Sequence, residues 1–209
     1  MLRNGSLDTP TLVLATGNRG KQEELRALLA PYGWRVLSPQ DVGGLPRVDE
    51  TGASYAENAV LKARAAVRHT GLWALADDTG LEVDALGGAP GLHSARFGPR
   101  GQQGTDAERR AHLLAQLADR PRPWTARFRC VVALAGPQGH LWLAEGTVEG
   151  EIVPSPRGEH GFGYDPLFLV TEVGRTLAEL DLAAKNRLSH RAQAVRRLGP
   201  ALRAYRHTA

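Results

Sequence analysis

The segment Thr16-Gly17-Asn18-Arg19-Gly20-Lys21 stands where an apolar run gives way to a helical pattern. A glycine turn at a helix N-terminus presents backbone N–H groups and a favourable dipole to an anion. Lys21 adds a point charge, and Thr16 and Asn18 add donors. This is not a Walker loop, because the glycine spacing differs and no Ser or Thr follows the lysine. The segment reads as a phosphate-binding loop or as an ordinary strand–helix turn.

Four further segments carry chemistry-bearing side chains. Asp77-Asp78 closes an apolar run, and two adjacent carboxylates there are costly unless something neutralises them. A divalent cation with hard oxygen ligands would do so; a turn or cap is the alternative. Strand alternation points the two side chains in opposite directions, so only one need face a ligand. Asp49-Glu50-Thr-Gly52 leads to Asn58 and Lys62, which share one helix face, either solvated or functional. In Gly161-Phe162-Gly163-Tyr164-Asp165, glycines around an aromatic permit close approach of a flat ligand such as a nucleobase, or simple packing on the core. Lys185-Asn-Arg-Leu-Ser-His190-Arg191 sets donors at the start of a helix, suited to carbonyl oxygens or phosphates. No Gly-x-Ser-x-Gly elbow occurs, which argues against a nucleophilic triad.

Composition narrows the possibilities. Lys and Arg together number 26 in 209 residues, yet only Lys21, Lys62 and Lys185 are lysine. A lysine in so arginine-rich a chain reads either as a place where a compact ammonium is wanted rather than a planar guanidinium, or as an accident of composition. The single cysteine, Cys130, excludes an intramolecular disulfide and a Cys-rich zinc site, and its apolar surroundings predict a buried structural thiol. No apolar stretch approaches the roughly 18 residues of a membrane span, and the N-terminus lacks the apolar core of a signal peptide. A cytoplasmic location with no membrane partner follows by default. The net charge of +4 and pI of about 9.6 would suit a polyanion. The basic residues are dispersed and aromatics make up 6%, so no specific nucleic-acid partner is expected.

These segments need a scaffold. Residues 1–10 read as a disordered lead-in. Leu12–Thr16 reads as a buried strand, Lys21–Leu29 as a helix and Trp34–Ser38 as a strand. Ser54-Tyr-Ala-Glu57 is a capping-box sequence opening a helix to about His69. Trp73–Ala76 predicts a strand ending at Asp77, followed by extended chain from Leu81. Thr105-Asp-Ala-Glu108 caps another helix. Thr125–Ala135 and Leu141–Val153 predict two long strands joined at Gly136–Gly139. A short strand at Leu167–Val170, a helix over Leu177–Ala184 and a last helix from Ser189, kinked near Gly199-Pro200, complete the chain. This order predicts an α/β fold with a mixed sheet.

Taken together and in this order, the segments closely resemble the Ham1-like inosine triphosphate pyrophosphatases. The resemblance runs from about Leu12 to Leu198. It rests on Leu-Ala-Thr-Gly-Asn-x-Gly-Lys (14–21), Glu-Thr-Gly (50–52), Glu-Asn-Ala-x-x-Lys-Ala (57–63) and Ala-Asp-Asp-Thr-Gly-Leu (76–81). Leu-Gly-Gly-Ala-Pro-Gly (86–91), Ser-Ala-Arg-Phe (94–97), Gly-Phe-Gly-Tyr-Asp-Pro (161–166) and Ser-His-Arg (189–191) extend it. All three lysines fall inside or beside these motifs.

The resemblance implies an elongated mixed sheet flanked by helices, two lobes with a nucleotide cleft between them, a single domain over 11–209, a homodimer and a Mg²⁺ requirement. It implies cleavage of dITP, ITP and XTP to the monophosphate and pyrophosphate. Carried over, Thr16 to Lys21 hold the triphosphate, and Asp78 is proton acceptor and metal ligand with an acid of the Asp49-Glu50 pair. Asn58 and Lys62 line the site, as do Thr79, Gly163, Tyr164 and Asp165. Phe162 stacks on the base, and Lys185, His190 and Arg191 read the purine edge. Thr79 stands where the family more often has Ser. Two alternatives stand beside this reading: a house-cleaning pyrophosphatase with another base preference, and a non-catalytic nucleotide or nucleic-acid binder.

Overall fold

A computed structural model describes residues 9–205, apart from the side chain of Gln102. Most of the expected N-terminal lead-in, residues 1–8, lies outside the described residues. Pro10 already belongs to the fold: it is buried, and its carbonyl accepts the Arg35 N–H at 2.9 Å.

The chain runs β1 (Thr11–Leu14), α1 (Arg19–Leu29), β2 (Arg35–Leu37), α2 (Tyr55–Thr70), β3 (Trp73–Val83) and α3 (Asp106–Leu117). It continues through β4 (Thr125–Ala135), β5 (Leu141–Ile152), β6 (Phe168–Val170), β7 (Arg175–Thr176), α4 (Leu182–Leu188) and α5 (His190–Ala204). One sheet of order β2-β1-β3-β4-β5-β6-β7 holds all the strands. β1 is parallel to β2 and β3, and the remaining pairs are antiparallel. The mixed α/β architecture is therefore as the element order predicts. Leu12, Val13 and Leu14 are fully buried, as expected of a parallel strand covered on both faces.

Alternation along β3 decides which helix each side chain meets. Leu75 belongs to the core packed by α1 and α5, with Leu25, Leu29, Leu198 and Leu202. Ala74 and Ala76 meet Ala59, Ala63 and Ala66 of α2 on the opposite face, where small side chains let helix and sheet approach closely. A third core around Leu81, Phe128, Ile152 and Phe168 packs against Leu113 and Leu117 of α3.

Three expectations need correction. β3 does not stop at Asp77. It continues to Val83, with Asp77 opposite Val132 and Asp78 opposite Val131 of β4. The long apolar run of β4 supplies an unbroken ladder, and cations from the helices satisfy the acids. The helix expected over Leu177–Ala184 is two pieces: a single turn at Leu177–Glu179, then extended Leu180, then α4. Asp181 starts α4 anew by accepting the Ala184 N–H at 2.7 Å. Ser54 caps α2 by accepting the Glu57 N–H at 3.2 Å, but Glu57 reaches back to the Ala53 N–H rather than closing the box on Ser54. The Thr105–Glu108 box is complete.

Candidate active site

The Thr16–Lys21 segment opens a helix. Arg19 and Gly20, expected in a turn, are the first residues of α1. The Asn18 side-chain oxygen accepts the Lys21 N–H at 3.0 Å, and Thr16 Oγ1 accepts the Asn18 N–H at 3.2 Å. Helix geometry leaves the N–H groups of Arg19 and Gly20 without intrahelical acceptors, at the positive end of the α1 dipole. Thr16, Gly17, Asn18 and Lys21 line the cleft above this end, whereas the Arg19 side chain is exposed and lies outside its lining.

Asp78 faces α2, as Ala74 and Ala76 do. Lys62 Nζ donates to Asp78 Oδ1 at 3.0 Å and to Glu50 Oε1 at 2.7 Å, so one ammonium gathers two carboxylates. Asn58, buried, completes the arrangement from the same helix face. Its amide nitrogen donates to Asp78 Oδ2 at 3.3 Å, and its oxygen accepts the Gly52 N–H at 2.8 Å. A Cβ on Gly52 would sit 2.7 Å from that oxygen, so only glycine lets the 49–52 loop close on α2. Glu50 is thereby turned inward. Asp49 is not: its side chain is 85% exposed, beside Arg47. Burial raises the Asp78 carboxyl above its ordinary value against the opposing pull of Lys62 and Lys21. Burial also works on Glu50, but Lys62 and Lys21 outweigh it and keep that carboxyl low.

Asp77 points the other way, into an alternating chain of buried charges. Lys21 Nζ lies 2.9 Å from Asp77 Oδ2, which also accepts Arg191 Nη2 at 3.0 Å and Thr79 Oγ1 at 2.9 Å. Arg191 continues to Glu24, Glu24 to Lys185 Nζ at 2.6 Å, and Lys185 to Asp165. Asp77, Glu24 and Asp165 thus balance Lys21, Arg191 and Lys185. Burial alone would raise the Asp77 carboxyl, but Lys21 and Arg191 hold it well below the usual carboxylate range. Glu24 is kept low in the same way by Arg191 and Lys185. At Asp165, burial prevails over Lys185 and raises the carboxyl.

The same chain forms one wall of the cleft. The Phe162 ring lies against α1 where Gly20 has no side chain; a Cβ there would come within 2.3 Å of the ring. Lys185 Nζ stands 4.9 Å and the Arg191 guanidinium carbon 5.8 Å from the ring centroid. The Phe162 N–H donates to Asp165 Oδ2 at 2.9 Å, and Tyr164 Oη donates to the Ser94 carbonyl at 3.0 Å. His190 stacks on Phe128 at 4.8 Å between centroids, and its Nδ1 is buried with no partner among the described residues. Burial, with Arg191 and Lys185 close by, pushes its imidazole well below the ordinary value, so the ring is neutral at pH 7. Thr79, Gly163, Tyr164, Asp165 and Lys185 line this part of the cleft, which adjoins the phosphate-loop part through Asn18, Lys21 and Glu50.

All three lysines therefore reach the cleft or the charges behind it. Sequence reasoning missed Glu24, the acid shared by Lys185 and Arg191. Its signal was present: it stands beside Leu25 and three residues after Lys21, an acid on the buried side of α1. It also missed Asp106 and Arg109 of α3, which line the cleft beside Gly163. Cys130 is a buried free thiol, as its apolar surroundings predict, and is pushed up to about 12 by burial and by Asp77.

The Ham1 family profile matches residues 12–201, which contain every one of these segments. The chain belongs to the Ham1 family. Within it, the dITP/XTP pyrophosphatase of Desulforamulus reducens is 51% identical over 187 residues, covering 89% of this chain and 92% of the relative. The dITP/XTP pyrophosphatase of Thermus thermophilus is 52% identical over 188 residues, covering 90% and 89%. A solved Ham1 protein from Coxiella burnetii superposes with a TM-score of 0.81 at 42% identity, covering 92% of this chain and 98% of its own. The Ham1 match runs from β1 into α5 and the structural likeness covers 92% of the chain, so the cleft residues sit on a shared scaffold rather than on a grafted motif.

Among the described residues, no three His, Cys, Asp or Glu side chains converge as a ready-made metal site. The Glu50 and Asp78 carboxylates, both drawn to Lys62, are nonetheless the hard donors that Mg²⁺ takes. That ion typically uses one or two carboxylates and completes its shell with water and substrate phosphate oxygens. The donor set fits such an ion.

Proposed function

We propose that this chain hydrolyses dITP, ITP and XTP to the nucleoside monophosphate and pyrophosphate, with Mg²⁺ as cofactor, and that it does so in the cytoplasm as a homodimer. In this reading residues 11–209 form one two-lobed domain with the nucleotide in the cleft between the lobes. The observation that carries the reading is the Lys62–Glu50–Asp78 cluster, placed between a phosphate-type helix start and a Phe162 wall backed by cations. The names of the relatives, dITP/XTP pyrophosphatase, support it.

The mechanism follows from the contacts. A triphosphate brings about four negative charges, to be met by fixed positive groups before any bond is broken. The α1 N-terminus and Lys21 hold the phosphate chain, and Lys62 keeps Asp78 and Glu50 oriented. Asp78, buried and of raised basicity, accepts the proton of the water that attacks the α-phosphorus in line. A bound Mg²⁺ would offset phosphate charge and lower the pKa of the attacking water. Glu50 and Asp78 are the residues that would hold it, and Asp49 is not.

Base selectivity rests on donors. Lys185 has three N–H groups and directs two to Glu24 and Asp165; Arg191 has five and directs four to Asp77, Thr79 and Glu24. One donor on each remains for a ligand. The 6-oxo group of hypoxanthine or xanthine accepts such a donor, whereas the 6-amino group of adenine leaves it unpaired, and a buried unpaired group rejects its ligand strongly. Lys185→Ala is expected to lower kcat/KM more for ITP than for ATP. Steady-state assays of both substrates check this, and equal losses would remove Lys185 from the reading of the base. A panel of ITP, dITP, XTP, dGTP, dATP and dUTP, with and without Mg²⁺, tests the function itself. Hydrolysis of the first three, requiring the metal, is expected. Preference for dUTP would assign another base class, and no hydrolysis would favour a binder.

A further inference from the structure

The Phe162 loop is gripped by one helix, α3, whose Asp106 also lines the cleft. Gly163 takes φ +60°, and both its polar backbone groups go to α3. Its N–H donates to Asp106 Oδ2 at 2.7 Å, and its carbonyl accepts from Arg110 Nη1 at 2.7 Å. Asp106 and Arg110 are four positions apart, hence on one helix face. Asp106 is itself braced: its other oxygen takes Arg109 Nη2 at 2.5 Å, while Arg109 Nη1 donates to the Ala95 carbonyl at 3.2 Å. Burial raises the Asp106 carboxyl, but Arg109 and the Gly163 N–H prevail and keep it low, so it stays a charged acceptor.

The approach to Phe162 is tied elsewhere: the Arg157 carbonyl accepts from Thr176 Oγ1 at 2.8 Å, and the His160 N–H donates to the Ala178 carbonyl at 3.0 Å. Residues 154–161 are exposed throughout, so a few backbone hydrogen bonds to residues 166, 176 and 178, rather than buried side chains, hold the chain that leads to the ring. Beyond the ring, Gly163 is the first residue tied to a regular element outside its own loop. Asp106 on the Gly163 N–H fixes the peptide plane that follows Phe162, together with the Asp165 N–H on the Phe162 carbonyl, and Arg110 on the Gly163 carbonyl fixes the next plane, so the direction in which the ring leaves the backbone is set from α3.

We propose that Asp106 and Arg110 are positioning residues that clamp Gly163, hold the Phe162 ring where the purine stacks, and so set base affinity and discrimination without entering the phosphate chemistry. This rests on the proposed role of Phe162 as the base-stacking group. Neither residue touches Asp78, Lys62 or Glu50, so the clamp and the hydrolytic cluster are separable by mutation.

Asp106→Ala and Arg110→Met are expected to raise KM for ITP about tenfold, the loss of one charge-assisted hydrogen bond. The kcat should stay within about threefold, since no group at the reacting phosphorus changes. Asp106→Asn keeps an oxygen for the Gly163 N–H and is expected to retain a KM near wild type, which a merely destabilising role would not produce. Amide hydrogen exchange over residues 159–165, measured without nucleotide, should quicken in the first two variants and not in Asp106→Asn. Unchanged KM in the folded Asp106→Ala and Arg110→Met proteins would overturn the proposal, as would unchanged exchange. If the wild type hydrolyses no triphosphate, the proposed function fails while the exchange data still decide whether the clamp exists.

Discussion

Asp78→Asn is expected to lower kcat/KM for ITP by about 10³-fold or more, at the upper range of losses for a general base. The substitution also replaces an anionic metal-ligating oxygen by a neutral amide oxygen, so the base is lost and the metal contact weakened together. Stability should respond in the opposite sense or not at all. Burial disfavours the Asp78 charge, so a neutral amide of the same shape removes a desolvation cost. Asn58 and Lys62 keep partners in Gly52 and Glu50. A thermal midpoint within about 3 °C of wild type, alongside collapsed activity, is the predicted pair of results. Activity within tenfold of wild type would remove Asp78 from the chemistry.

Arg191→Met inverts that pattern. Arg191 is 1% exposed and links Asp77 to Glu24. Its removal leaves two carboxylates in the core, each with one remaining cation: Lys21 for Asp77 and Lys185 for Glu24. Breaking a buried ion pair on one side costs about 3–5 kcal/mol. For a chain of this length that corresponds to a fall in thermal midpoint of roughly 10 °C. Because the partners share one network, the loss should not add to that of Glu24→Gln: the double variant should be more stable than the sum of the single losses implies. Calorimetry of the three variants measures this. A fall of under about 3 °C for Arg191→Met would mean that the buried chain is not structural.

These residues also mark where sequence reading succeeds and where it stops. The apolar runs of β1, β4 and β5, the caps at Ser54 and Thr105, and the alanine stripe of α2 are local patterns, and each formed its element. Opposite orientation of Asp77 and Asp78 follows from strand alternation alone. Which side meets which helix does not, because that depends on α2 packing on one face and α1 with α5 on the other. The continuation of β3 past the acids was illegible for the same reason. Adjacent carboxylates read locally as the end of a strand, and only Lys21, Lys62 and Arg191, distant in sequence from them, make a mid-strand position tenable. Glu24 pairs with a residue 167 positions away, beyond any local pattern. Lysine scarcity pointed to the same cleft without a structure, since Lys21, Lys62 and Lys185 all line it. Inward rotation of Glu50 rather than Asp49 needed the Gly52–Asn58 hydrogen bond to be seen.

The proposed reaction is cleavage between the α- and β-phosphates of a deaminated purine nucleotide. The most direct measurement is the identity of the first products from dITP and Mg²⁺, resolved by phosphorus NMR with no auxiliary pyrophosphatase present. dIMP and pyrophosphate are expected in equal amounts, with no orthophosphate at early times. Release of orthophosphate and dIDP would place the attack at the γ-phosphorus and contradict the assignment of Asp78, Lys62 and the α1 N-terminus to α-phosphorus chemistry.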